Sequence, residues 1–159
     1  MWIVEVEMAF SQLGVTDKEF EAKLRWGVTL IAEHLNYLAD EIYKKPAIIY
    51  NYLKALKPLY VRLNDDGNTI AAFDLVLPKV GTLITGSQNE ECINMLDARI
   101  KEFDLSRDQY QWYLDLRRHG IIKHSRFSVA FNLMVFLTTA LTDVRDAVPF
   151  PRWYGKAIN

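Results

Sequence analysis

The apolar positions of the chain change period several times along its length. After Thr16, the residues Phe20, Leu24, Ile31, Leu35, Leu38 and Ile42 recur at spacings of four, seven, four, three and four, which puts them on one stripe of a helix. That stripe predicts a long helix ending near Lys44, because the residue before Pro46 is biased away from helical geometry. Ile93, Leu96, Ile100 and Phe103 make a second stripe, and residues 110–118 a third helical segment closed by Gly120. A Ser or Thr stands three residues before a Glu or Gln at Thr16 with Glu19, Ser87 with Glu90 and Ser106 with Gln109, a pairing that caps the free amides of a helix start. Between the stripes lie runs rich in β-branched and aromatic residues. Residues 47–52 read as a strand, and Leu59, Val61 and Leu63 alternate with polar partners in a second. The turn Asp65-Asp66-Gly67-Asn68 reverses the chain into a strand over 69–77, and residues 78–81 reverse it into another over 82–85. The order predicts an antiparallel meander followed by helices, an α+β fold in a single domain over 1–159.

Composition narrows the function classes. At 159 residues, the chain is long enough to bury roughly 70% of its unfolded surface. Half of it is hydrophobic and a quarter charged, which excludes the disordered class. A formal net charge of -1 supplies no general attraction to phosphate backbones. Cys92 is the only cysteine, which excludes an internal disulfide and a multi-cysteine metal site and suits a reducing, cytoplasmic compartment. On the amphipathic helix it is expected to act as a small packing residue. The first residues carry Glu5 and Glu7 and no basic cluster, so they do not read as a signal peptide. The longest uncharged apolar stretch, 127–141, is too short for a bilayer and is predicted to be buried core.

Few residues announce chemistry by pattern. Asp74 stands in IAAFDLVLP, where a buried carboxylate needs a partner: either a metal or cation, or a core arginine. Arg117, Arg118 and His119 end a helix, where they either complement its dipole or form a fork for a carboxylate. Arg145, Asp146 and Arg152 stand among prolines and aromatics in DVRDAVPFPRW, as charge pairs in a packed loop. Tyr110, Trp112 and Tyr113 either stack a base or pack in the core. His34, His119 and His124 have no metal-site spacing, and there is neither a phosphate-cradling glycine loop nor a GxSxG elbow.

Several segments taken in order carry a resemblance that no single one does. WIVEVEMAF, WGVTLIAEHLNYL, KKPAIIYNY, YVRLNDDGNTIAAFDLVLPKVG, TGSQNEE, QWYLDLRRHGIIKH and VRDAVPFPR resemble successive parts of the catalytic domain of asparaginyl-tRNA synthetases, of the aspartyl, asparaginyl and lysyl group. The resemblance implies a class II synthetase fold, an antiparallel sheet flanked by helices on which ATP and the amino acid lie. It implies that Asp74 matches an acidic residue near magnesium and the ATP phosphates, that Ser87 and Gln88 match the substrate floor, and that Arg118 matches the arginine holding the amino acid.

Other positions depart from the family pattern at the nucleotide. Where relatives read like GEIIGGSQREE, this chain reads GTLITGSQNEE, so the magnesium-binding glutamate is Thr82, a glycine is Thr85 and an arginine is Asn89. The glycine-rich third motif, close to GFGLGFER in relatives, is RFSVAFNL here. Arg126, Ser128 and Ala130 fall on its glycines, and Asn132 and Leu133 on its Glu-Arg. The arginine replaced by Leu133 stacks on adenine in the family. The resemblance also puts the first motif and an ATP-binding arginine of the second before Met1, and matches no anticodon-binding domain. Together these departures imply a non-catalytic relative that pairs with itself or an intact synthetase, or holds asparagine or aspartate, with transfer RNA and membranes not expected. ATP and magnesium belong only to the alternative, a residual asparagine or aspartate adenylate-forming ligase.

Overall fold

In the computed structural model, which describes residues 1–150 apart from 121 and 140, five strands form one sheet in chain order. β1 (Trp2–Glu5) runs parallel to β2 (Ala47–Leu53). β3 (Thr69–Leu77), β4 (Gly81–Gln88) and β5 (Ser125–Val129) follow, each antiparallel to its predecessor. The meander expected from the sequence is present from β2 to β4, and β1 makes the sheet mixed rather than wholly antiparallel. The α+β class holds. Along β3, Ile70, Ala72, Asp74 and Val76 are buried while their neighbours are half-buried, the period of two that a sheet covered on one face imposes. The hairpin before β3 is fixed by Asp66, whose carboxylate accepts from the Asn68 and Thr69 amides and the Thr69 hydroxyl. These bonds hold its carboxyl below the ordinary range.

Two hydrophobic cores form among the described residues, of which only the larger includes strand residues. In the larger, α1 (Val6–Gly14) sets Val6, Ala9, Phe10 and Leu13 against Val4, Ile49, Tyr52 and Ile70. α2 (Ala32–Tyr37) and the π-helical turn Leu38–Ile42 add Leu35, Leu38 and Ala39. The smaller core joins Leu59 to Leu96 and Ile100 of α3 (Ile93–Glu102) and Leu114 of α4 (Gln111–Arg118). Arg99, a buried arginine with no signature in the pattern, ties α3 to the end of β2: its guanidinium donates to the Lys54 carbonyl (2.6 Å) and to Glu102 (2.9 Å).

Several sequence expectations are corrected. The long helix after Thr16 is only its C-terminal part, α2 and the π-helical turn. The Thr16 hydroxyl donates to the Leu13 carbonyl and so finishes α1 instead of starting a helix. Phe20 and Leu24 do reach the larger core, but from an irregular segment folded back on α2. Buried His34 holds that segment: Nε2–H donates to the Ala22 carbonyl (3.0 Å), while Nδ1 accepts the Ile31 amide (3.3 Å), fixing the tautomer. Phe20 meets the His34 and Tyr37 rings edge-on. The helical spacing there is a coincidence of contacts.

Ser87 caps no helix but lies in β4, and buried Glu90 accepts from the Leu63 and Cys92 amides. Ser106 does precede a 3-10 turn, Arg107–Tyr110, without a side-chain cap. Leu59, Val61 and Leu63 form no strand; Val61 and Leu63 make single bridges to Asn89 and Ile70. Cys92 is exposed, at the N-terminal boundary of α3, not packed. The apolar stretch 127–141 is not core either. It divides between edge strand β5 and α5 (Phe131–Thr139), which buries none of its residues. Phe127, on β5, and Phe131, on α5, are 69% and 70% exposed, because among the described residues β5 has a partner strand on one side only and neither hydrophobic core includes a residue of α5. Arg145 pairs with Asp143 on an exposed turn rather than inside a packed loop. Arg152 lies outside the described residues. Among the described residues no helix is long and apolar enough to cross a membrane.

Gly86 is where the sheet is least tolerant. A Cβ there would overlap the Phe73 ring, with Cζ at 2.6 Å, and approach the Arg126 carbonyl at 3.2 Å, whereas one on Gly14 would meet nothing. Gly86→Ala is expected to lower unfolding free energy by about 1–3 kcal/mol, with Gly14→Ala close to neutral, in denaturant titrations. Leu114→Ala, emptying the smaller core, is expected to cost about 2–5 kcal/mol in the same measurement.

Candidate functional site

Residues directly paired across a sheet share a face, so the register alone assembles most of the singled-out positions. One rung runs Ile49–Asp74–Thr85–Ser128, and the next on the same face, beyond Phe73–Gly86–Phe127, runs Ala72–Ser87–Arg126. They floor a cavity of about 250 Å³, walled by Lys57, Pro58 and Tyr60 from the segment after β2. Asp74, Ser87, Thr85, Arg126 and Ser128 thus meet in one place. Thr82 lies further along β4, opposite Val76. Gln88 ends β4 opposite Ser125. Ala130 donates to the Leu83 carbonyl, and Asn132 and Leu133 follow on α5; none of the three lines the cavity.

Asp74 is 5% exposed, and its partner is a lysine rather than the arginine weighed from sequence: Lys57 Nζ lies 3.2 Å from Oδ2. The same ammonium sits 4.2 Å from the centre of the Tyr52 ring. Asp74 Oδ1 and the Tyr52 hydroxyl are both shut from water without a well-formed hydrogen bond. They are near neighbours: burial first, and then the Asp74 carboxylate, pushes the Tyr52 phenol far above its ordinary range. Lys57 and Tyr52 are the site residues that sequence reasoning missed. The signal was the buried carboxylate itself, which demanded a cation without saying which.

The two consecutive arginines diverge. Arg117 is half-buried, stacks 3.9 Å from the Tyr113 ring centre, and donates to the Tyr113 hydroxyl (2.5 Å) and the Glu90 carbonyl. Arg118 is exposed and pairs with Asp115 at 2.8 Å, away from the sheet-face cavity. Arg126 lies 4.2 Å from the Tyr60 ring centre, between the sheet-face cavity and a larger aromatic one beside α3 and α4. His119 is exposed.

The donor set does not suit magnesium. Among the described residues no three His, Cys, Asp or Glu side chains converge as metal ligands, and the one buried carboxylate of the cavity already holds an ammonium. Magnesium sites rely on one or two free carboxylates beside the substrate phosphates. What the face offers is two cations, one carboxylate and three hydroxyls on a rigid floor.

Comparison with known proteins identifies the family and the fold. The family model for tRNA synthetases class II (D, K and N) matches residues 4–154. The chain is 58% identical over 144 residues to Asparagine--tRNA ligase, cytoplasmic 2, of Arabidopsis thaliana, covering 91% of this chain and 23% of that protein. It is 45% identical to Asparagine--tRNA ligase of Shewanella pealeana, covering 91% of this chain and 31% of the other. It therefore spans about a quarter to a third of the length of these relatives. Asparaginyl-tRNA synthetase from Pyrococcus horikoshii superposes with a TM-score of 0.82 at 29% identity, over 100% of this chain and 37% of that one. The Entamoeba histolytica asparaginyl-tRNA synthetase in complex with asparaginyl-adenylate shares the fold, with a TM-score of 0.85 at 19% identity over 96% and 35% of the two chains. The chain belongs to the class II tRNA synthetase family (D, K and N) and is asparaginyl-tRNA synthetase-like over the segment it shares with these relatives.

Proposed function

We propose that this chain is a non-catalytic member of its family, retaining the sheet floor of a synthetase as a binding surface in the cytoplasm. The observation that carries the reading is the Asp74–Lys57 pair: the carboxylate matched to the magnesium and phosphate region is engaged by a side chain of the protein itself. Thr82 stands where the resemblance puts a metal-binding glutamate, and Leu133 where it puts the nucleotide-stacking arginine. Removal of one preorganised electrostatic contact commonly lowers a rate by about 100- to 1,000-fold, so two such losses together leave no measurable adenylate formation.

In this reading Ser87, Gln88 and Arg118 are remnants of an asparagine or aspartate site, and transfer RNA is not a ligand. Trp2 and Ile3, exposed on β1, and Phe127 and Phe131 beside β5 serve as contact surfaces for a second copy or an intact synthetase. The rival reading, a residual ligase forming an asparagine or aspartate adenylate, draws on the retained Asp74, Gln88 and Arg118.

ATP–pyrophosphate exchange with magnesium and asparagine or aspartate separates the two readings, with an intact asparaginyl-tRNA synthetase as positive control. No exchange above background is expected; exchange that vanishes in Arg118→Ala would establish the ligase. A second outcome concerns the pair itself. Lys57→Met leaves Asp74 buried without its cation, and since Lys57 keeps part of its surface in water the expected loss is about 2–3 kcal/mol, below the ~3–5 kcal/mol of wholly buried pairs. Lys57→Met with Asp74→Asn should recover most of it, as read by chemical denaturation.

A further inference from the structure

Beside the sheet-face cavity lies a second one of about 550 Å³, within the range of roughly 300–1,000 Å³ typical of small-molecule sites. Its walls are Tyr60, Phe103, Leu105, Tyr110, Trp112 and Tyr113, with Arg126 and Asn89 as its polar members. Arg126 stacks on Tyr60 and makes no ion pair with any described carboxylate. A guanidinium on an aromatic face keeps its in-plane N–H groups free for a carboxylate.

Asn89 supplies the complementary group. His124 Nδ1 lies 3.0 Å from the Ile122 carbonyl, which can only accept, so Nδ1 carries the proton and neutral Nε2 is an acceptor. The 2.7 Å contact to Asn89 is therefore donated by Asn89 Nδ2, which fixes the amide orientation. Asn89 Oδ1 is left buried with no hydrogen-bond partner among the described residues, a deficit of about 1–3 kcal/mol that an N–H donor from a ligand removes once Asn89, which lines the cavity, turns that oxygen into it. Arg126 and Asn89 both depart from the glycine and arginine that the resemblance leads one to expect at these positions.

We propose that this cavity binds an α-amino acid with a large aromatic side chain: its carboxylate on Arg126, its ammonium on Asn89 Oδ1, and its ring between Tyr110, Trp112, Phe103 and Leu105. The site is independent of whether adenylate chemistry survives on the neighbouring sheet face. Calorimetric titration of the protein with L-phenylalanine, phenethylamine, 3-phenylpropionate and L-asparagine tests it. Phenylalanine should bind, and the two analogues lacking carboxylate or ammonium should bind at least about tenfold more weakly, the worth of one charge-assisted hydrogen bond. Asparagine should not displace phenylalanine. Arg126→Gln should remove the preference for phenylalanine over phenethylamine, while Trp112→Ala, at a position 66% exposed where folding is not at risk, should weaken all three aromatic ligands alike. Absence of phenylalanine binding at millimolar concentration, equal affinity for phenylalanine and phenethylamine, or an unchanged preference in Arg126→Gln would overturn the assignment.

Discussion

The close approach of the Phe73 ring to Gly86 sets the register on which the rest of the site depends. With no Cβ at position 86 the Phe73 ring takes the space that one would fill, and Phe73, Gly86 and Phe127 stand abreast on three strands. Their neighbours on either side are then committed to the opposite face: Asp74, Thr85 and Ser128 on one rung, Ala72, Ser87 and Arg126 on the other. A slip of one residue would send the whole set to the wrong side of the sheet. One glycine contact therefore connects packing to chemistry, since a floor of charged and hydroxyl side chains exists only in this register.

On that floor the charges resolve locally. Asp74 could not remain buried alone, and Lys57 meets it while resting on Tyr52; Arg126, entering from the edge strand, rests on Tyr60 instead. The face is thus closed electrostatically at one end and open at the other. A metal-dependent reaction needs carboxylates free to take a divalent cation, whereas an anion-binding surface needs unpaired guanidinium. The arrangement serves the second better than the first, which favours binding over turnover.

Much of this is legible in the order of residues alone. The strand over 69–77 and its turn are fixed by alternation and by Asp66-Gly67, and the end of the third helical segment by Gly120, because local chemistry alone determines those elements. The ordered resemblance leads to the family and to the residues of the two rungs. What fails are inferences from one-dimensional spacing where tertiary contacts decide. Phe20 and Leu24 obey a helical period yet reach the core from an irregular segment pinned by His34, and Ser87 with Glu90 imitates a cap although one is in a strand and the other braces a loop. Lys57 as the partner of Asp74, and the inward turn of Arg117 instead of Arg118, depend on which side chains the fold brings near. Neither is encoded in neighbouring residues.

The proposal that the sheet face has exchanged nucleotide chemistry for an internal ion pair is tested most directly by calorimetric titration with ATP and magnesium. No saturable, magnesium-dependent binding is expected, either in the protein as it stands or in Asp74→Asn. Saturable binding that requires magnesium and weakens in Asp74→Asn would contradict the exchange, because Asp74 would then be serving the metal and not Lys57.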